Sequence, residues 1–350
     1  MVIAKKYSIF DIPNGRKTHH GSIPRLGGVS FTPSVIFAMT FTIGVFFKYI
    51  NKSDVAAYSG YYPDMMECNL FLCGLLLIYF GGVKDDLVGL RYRHKFLIQI
   101  LSAMLVVFSG IYIDNFYGLL GIHEVVPWIG IPLTVIILIF VINAINLIDG
   151  IDGLASSISI FACCIYGTLF LFHGLWVYAA LAFSTVGALI PFFCYNVFGN
   201  IKKGRKLFMG DAGSLTLGFI LSYLSVRYIC HIPEFMMAPI GNALVVAVSP
   251  ILIPMLDVVR VVLVRLRKRR HIFKADRNHI HHKLLDMGMS KSSALLLILS
   301  LNATFCIINF ILMQHLNCTF IFLTDILLWS AANIYFSYVK KKRNVSIAVY

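Results

Sequence analysis

Charge is scarce in this 350-residue chain: Asp, Glu, Lys and Arg together make up 13% of it, while hydrophobic residues make up 59%. That balance excludes an ordinary soluble globular domain, in which about a quarter of residues are charged. Acids are the scarcer sign, 16 against 30 Lys and Arg, for a net charge of +14. The eight cysteines show no CxxC spacing. This excludes a disulfide framework or zinc knuckle read from spacing and leaves them as packing residues. No secretory signal opens the chain, which starts MVIAKKYSIFDIPNGRKTHH. Internal repeats, low-complexity tracts and a second soluble domain are also lacking.

What is there is a succession of apolar runs of the length needed to cross a bilayer, separated by short polar stretches. They predict an all-α polytopic membrane protein, one integral membrane domain over residues 1–350 with about ten transmembrane helices near 29–50, 67–83, 96–113, 129–148, 153–172, 174–194, 212–229, 242–264, 293–313 and 319–338. The fifth and sixth meet at His173 and Gly174 and read as a hairpin. Placing the N-terminus inside puts 26 of the 30 Lys and Arg in the inside segments 1–28, 84–95, 195–211, 265–291 and 340–350, as the positive-inside rule requires. The net charge then needs no nucleic acid; positive loops, anionic lipid and an anionic substrate account for it.

The outside loops carry scattered acids such as Asp54, Asp64, Asp114, Glu124 and Glu234, whereas the inside loops carry patterned ones. Asp85 and Asp86 stand side by side at the end of the second span, and two adjacent carboxylates stay ionised together only with a cation beside them. Asn143, Asn146, Asp149 and Asp152 recur at steps of three, which lines up one helical face, and Gly150 and Gly153 break the helix between two spans. Asp211 and Ser214 open the seventh span, where free N–H groups favour phosphate. Each has a plainer structural reading: a solvated helix end beside Lys84, Asp-before-Gly caps, and an N-cap at Asp211. Lys202, Lys203, Arg205 and Lys206 read mostly as positive-inside anchors.

FKADRNHIHHKLLDMG follows the run RLRKRRH. With Asp276 as cap and Gly288 as terminator of a short helix, His279 and His282 share a face and His281 points elsewhere. No further donors stand at zinc spacing, so the imidazoles read as a grip on anionic oxygen. Asp257 and Arg260, three apart in the eighth span, read as an intrahelical pair. All four clusters fall on one side of the membrane. One phosphate-handling site assembled from several loops, with carboxylates for Mg²⁺ and a lipid as second substrate, explains that most economically.

Five blocks in order, DIPNGRKTHHGSIPRLGG, KDDLVGL, NAINLIDGIDGLA, FMGDAGSLTLG and DRNHIHHKLLDMG, run from about residue 11 to 290. In this order they resemble the signature blocks of the polyprenyl-phosphate N-acetylhexosamine-1-phosphate transferases. The resemblance implies a multi-pass enzyme of the bacterial inner membrane, its active site on loops facing the cytoplasm. A UDP-N-acetylhexosamine would give its sugar-1-phosphate to undecaprenyl phosphate and release UMP, with Mg²⁺ (or Mn²⁺ in its place) required. By the same resemblance Asp85, Asp86, Asp149, Asp152, His279, His281 and His282 are catalytic; Asp85, Asp86 and Asp211 hold the metal; Lys95 meets phosphate; Asn146 and Asn196 face the nucleotide sugar.

A phosphate monoester has its second pKa near 6 and little proton left to lose at neutral pH. Asp85 and Asp86 are therefore expected to hold Mg²⁺ or position the nucleophile more than to act as base. DRNHIHHKLL is similar to the UDP-GlcNAc branch, which starts O-antigen, enterobacterial common antigen, teichoic acid or capsule-type glycans. The UDP-MurNAc-pentapeptide transferases of peptidoglycan synthesis are the alternative branch, and a cation transporter the alternative class, disfavoured because transport sites lie near the bilayer midplane. A homodimer is compatible with the sequence. Only ten residues precede Asp11, whereas family members usually carry another span before this block; either the chain starts late or this member has lost that helix.

Overall fold

One helix, Gly210–Cys230 (α7, in the numbering that follows), is enclosed on every side: each residue from Ala212 to Cys230 is buried. Its sequence explains why. GDAGSLTLGFILSYLSVRYIC mixes small residues into an apolar run, and small residues let neighbouring backbones approach in a membrane bundle. Gly82 on the second helix is a closest-approach point: a Cβ built there would lie 2.5 Å from Cα of Ala212. A side chain at residue 82 would force the two helices apart.

The structure is a computed structural model that describes residues 10–11, 23–49, 65–201, 203–230, 243–271 and 278–348. Around α7 stand α1 (Phe31–Tyr49), α2 (Met65–Val88), α3 (Tyr92–Phe108), α4 (Pro127–Ile148), α5 (Leu154–Phe172) and α6 (Trp176–Val197). The chain continues through α8 (Ala243–Val248), a 3-10 turn (Ser249–Ile251), α9 (Leu252–Arg267), α10 (Ile280–Asp286), α11 (Lys291–Leu312) and α12 (Cys318–Ala348). The main packing partners of α7 are α4 and α2. Two short antiparallel pairs complete the fold: β1 (Phe10–Asp11) with β2 (Ile23–Pro24), Phe10 opposite Pro24, and β3 (Asn115–Leu119) with β4 (Ile122–Glu124), Asn115 opposite Glu124.

Nine segments among the described residues are long and apolar enough to cross a membrane, each at one of the expected spans. The all-α, polytopic expectation therefore holds. The remaining expected span, 96–113, is α3, with 17 residues. It ends before Gly110, which takes φ +92, and the chain then enters the β3–β4 hairpin, which hydropathy did not reveal. The hairpin at His173 and Gly174 forms as expected. Gly174, at φ +71, donates to Leu171 O (3.1 Å) and Leu175 N donates to Phe170 O (2.8 Å), the paired bonds of a glycine-terminated helix.

The eighth span is broken. Pro250 lies in the 3-10 turn and Pro254 in the first turn of α9, and each removes a backbone donor. Asn302 of α11 re-satisfies the break, donating to Pro250 O (2.9 Å) and accepting from Ile253 N (3.3 Å). A broken helix in a membrane needs such a partner. At the end of α7 away from Asp211, Glu67 is buried against Arg227 (3.1 Å), and its carboxylate also accepts from the hydroxyls of Tyr178 and Tyr223 (2.7 Å each). An apolar groove of about 800 Å³ lies between α1 and α6, lined by residues such as Ser34, Ala38, Phe46, Trp176, Phe183 and Phe192. Among the described residues no acid or histidine lines it.

Candidate active site

The end of α7 that carries Asp211 is where the acid clusters meet. The first N–H groups of a helix have no partner within it, and here Asp86 supplies one from a different helix. Its Oδ1 accepts from Asp211 N and its Oδ2 from Ala212 N, each at 2.8 Å. This bidentate, charge-assisted cap is among the stronger hydrogen-bonded arrangements available to a protein. Asp86, expected among the metal ligands, thus has each oxygen on a backbone donor and stands as the anchor of α7.

Asp85 points the other way. Its Oδ1 accepts from Leu90 N (2.6 Å) and its Oδ2 pairs with the Lys95 ammonium. Lys95 also reaches Asp211 Oδ1 (3.3 Å), and Asp85 and Asp211 are themselves within hydrogen-bonding reach. Two carboxylates that close repel unless a cation lies between them, which is the place Lys95 takes. Asn146 donates to Asp211 Oδ1 and to Ser214 Oγ (2.8 Å each). The amide expected to face a nucleotide sugar therefore orients Asp211. Asn196 is likewise a tie: buried, it accepts from Gly153 N (2.6 Å) and donates to Leu207 O (2.8 Å), joining two loops.

The expected single face through Asn143, Asn146, Asp149 and Asp152 does not form, because α4 ends at Ile148. Asn143 turns to Gln99 of α3 (2.7 Å), Asn146 to α7, and Asp152 to Lys206 (2.8 Å) and Lys291 (3.9 Å). Among the described residues none donates a hydrogen bond to Asp149. Desolvation, then the charges of Asp211, Asp152 and Asp86, push its carboxyl up to about 7, into the range where a group exchanges protons readily at neutral pH.

The three histidines enter on α10. Asp257 of α9, 1% exposed, faces His279 Nδ1 (2.9 Å), accepts from Ile280 N (3.1 Å) and pairs with Arg260 (2.8 Å). The Asp257–Arg260 pair read from sequence exists, but it also caps α10. His281 does not point elsewhere: its ring lies parallel to that of His279 at 5.9 Å and 4.2 Å from that of His282. Burial, then the neighbouring His282 and His279, push its pKa down to about 3. Burial thus favours the neutral form of His281, which still carries one N–H donor for an anionic oxygen. It rests on Gly150, where an added Cβ would come 1.9 Å from its Nε2. Gly288, at φ +82, ends the helix as expected. Asp276, Lys202 and residues 12–22 of the first block lie outside the described residues.

Sequence reasoning missed Asp257 and Ser214 as organising residues. The signal for Asp257 was its place inside an apolar span, where a polar side chain is costly and needs partners. Among the described residues no group of three His, Cys, Asp or Glu forms a ready metal cage. The donor set still fits Mg²⁺, which is bound through one or two carboxylates with substrate phosphates and waters completing the shell. Asp85 and Asp211 would be that pair, all oxygen, with a lysine ammonium between them.

Gly150→Ala pushes His281 and α10 off the loop that carries Asp149; turnover should fall by roughly 10²-fold, measured as initial rate in reconstituted protein. Asp149→Asn should behave differently. In the folded state Asp149 holds its proton to about pH 7, above its unfolded value of about 4, so stability is lost as pH rises from about 4 to about 7 and is level above that. The Asn variant should gain thermal stability over wild type at pH 8 and much less at pH 5, followed by differential scanning fluorimetry at both values.

Residues 68–229 match the family model described as Glycosyl transferase family 4. The chain is similar to the undecaprenyl-phosphate alpha-N-acetylglucosaminyl 1-phosphate transferase of Escherichia coli (strain K12), 31% identical over 299 residues, which span 85% of this chain and 74% of that protein. The proteins of the same name from Salmonella typhimurium (strain LT2) and Yersinia pestis are 30% and 29% identical, each over 85% of this chain and 74% of the relative. With identity at that level over most of both chains, the chain belongs to glycosyl transferase family 4.

Proposed function

We propose that this multi-pass membrane enzyme transfers N-acetylhexosamine-1-phosphate, GlcNAc-1-phosphate first among the candidates, from the UDP-sugar to undecaprenyl phosphate. A lipid phosphate oxygen attacks the sugar-linked phosphorus, the bond to the UMP phosphate breaks, and UMP leaves with the electron pair. The product is the lipid-diphosphate sugar that begins a cell-envelope glycan. The observation that carries the reading is the convergence of Asp85, Asp211 and Lys95 from three helices, at a membrane edge where a lipid phosphate can arrive. The names of the relatives and the DRNHIHH block support GlcNAc as the sugar. The clustering of Lys and Arg in the loops around this site supports a cytoplasmic orientation, where UDP-sugars are made.

Asp85 and Asp211 would hold Mg²⁺, which when bound neutralises phosphate charge and polarises the phosphoryl oxygens. Lys95 lies between these carboxylates and would offer its ammonium to a phosphate oxygen there. Asp86 keeps the α7 N-terminus, and with it Asp211, in place. Asp149, which no described residue engages, accepts the residual proton of the lipid phosphate, which this many carboxylates would hold on the monoanion to higher pH than water does.

Protein in nanodiscs, given undecaprenyl phosphate, Mg²⁺ and UDP-GlcNAc, UDP-GalNAc or UDP-MurNAc-pentapeptide, tests the reading through UMP release. UMP from UDP-GlcNAc, abolished by EDTA and in Asp211→Asn, is the expected result. Release from UDP-MurNAc-pentapeptide alone moves the chain to the peptidoglycan branch, and release from none of the three, in folded protein, contradicts transfer.

A further inference from the structure

Asp257 has the environment of a residue that acts through another. It is almost fully enclosed, 1% exposed, in the membrane-spanning helix α9, and four donors converge on its carboxylate. Oδ1 accepts from Arg260 Nη2 (2.8 Å), Arg260 Nε (3.3 Å) and Ile280 N (3.1 Å); Oδ2 faces His279 Nδ1 (2.9 Å) and Ile280 N (3.2 Å). Arg260 also donates to Asn278 O, so one guanidinium holds both the carboxylate and the peptide just before His279.

With Arg260 and Ile280 N–H directed at it, the carboxylate is an acceptor, so the hydrogen on this contact belongs to His279 Nδ1. Fixing Nδ1–H leaves Nε2 as the reactive nitrogen, and among the described residues nothing bonds it. His281 and His282 meet ring to ring, 4.2 Å apart, while His279 is oriented by a buried acid.

We infer that Asp257 is a positioning residue of the transfer reaction: it fixes the tautomer and ring of His279 so that Nε2 is presented to a phosphate oxygen of the diphosphate substrate. This rests on the transferase reading above. The arrangement matches the general rule that a buried carboxylate behind a histidine sets which nitrogen does the chemistry. A purely structural role, capping α10, makes a different prediction, because an Asn side chain can still accept from Ile280 N–H while its amide turns the imidazole to the other tautomer.

The test compares wild type, Asp257→Asn, His279→Gln and the double variant in nanodiscs. Turnover is read as UMP release from UDP-GlcNAc, and the His279 ring nitrogens by ¹⁵N NMR of histidine-labelled protein, assigned with His279→Gln. The expected result is Nδ1–H in wild type and Nε2–H in Asp257→Asn. The kcat of Asp257→Asn should be lower by about 10- to 100-fold, and the double variant should be no slower than His279→Gln alone. Independent, multiplying losses in the double variant, or Nε2–H at His279 in wild type, would overturn the inference. If wild type releases no UMP from any donor the transferase reading fails instead, and the NMR arm still decides the tautomer.

Discussion

The carboxylate of Asp86 on the N–H groups of Asp211 and Ala212 at the start of α7 is the contact on which the rest of the site depends. A buried helix N-terminus left bare would hold unpaired donors in a low-dielectric setting, at a cost of about 1–3 kcal/mol each. Supplying the acceptor from α2 both removes that cost and fixes where α2 ends relative to α7. Gly82, one turn earlier on α2, permits the approach: its Cα–H faces the backbone of Ala212 with no room for a side chain. Packing and capping therefore select the same geometry, and Asp85, adjacent in sequence, is delivered to Asp211 as a consequence.

The histidine segment is mounted by the same device. Asp257 caps α10 from α9 as Asp86 caps α7 from α2. The far side of α10 is held by α12: Lys283 donates to Asn333 O (3.1 Å) and Ser337 Oγ (3.0 Å), and Lys340 pairs with Asp286 (2.6 Å). Burial and the nearby Arg260 push Lys283 down to about 8, so the ammonium that makes this clamp is still mostly protonated at neutral pH and is lost as pH rises through about 8. The last helix is thus part of the mounting of the site as well as of the membrane bundle. His281 on Gly150 then closes the gap between this half and the half built on α2, α4 and α7.

Hydropathy and the positions of Lys and Arg were enough to place the spans, because crossing a bilayer imposes a length and a composition that no local contact overrides. The residues of the site were legible for a related reason: a carboxylate such as Asp85, Asp211 or Asp149 at the edge of hydrocarbon has to have a use. Their roles were not legible. Asn146, Asn196 and Asp86 carry the chemistry expected of substrate ligands, yet their partners, Asp211, Gly153 with Leu207, and the α7 backbone, are distant in sequence. Local spacing carries no information about such partners. Of the two readings of Asn143 to Asp152, the single helical face and the break at Gly150 and Gly153, the break prevails, since α4 ends at Ile148. Asp257 looked self-sufficient because Arg260, three residues on, already satisfied it.

Whether the adjacent acids divide their labour as proposed, Asp85 with Asp211 for the metal and Asp86 for the helix, is most directly decided by Mn²⁺ binding followed by electron paramagnetic resonance. Wild type, Asp85→Asn, Asp86→Asn and Asp211→Asn would be compared in nanodiscs with UDP-GlcNAc present. The account predicts loss of binding in Asp85→Asn and Asp211→Asn and its retention in Asp86→Asn, whose amide oxygen still caps α7. Loss of Mn²⁺ in Asp86→Asn to the same extent as in Asp211→Asn, in protein of unchanged thermal stability, would contradict it.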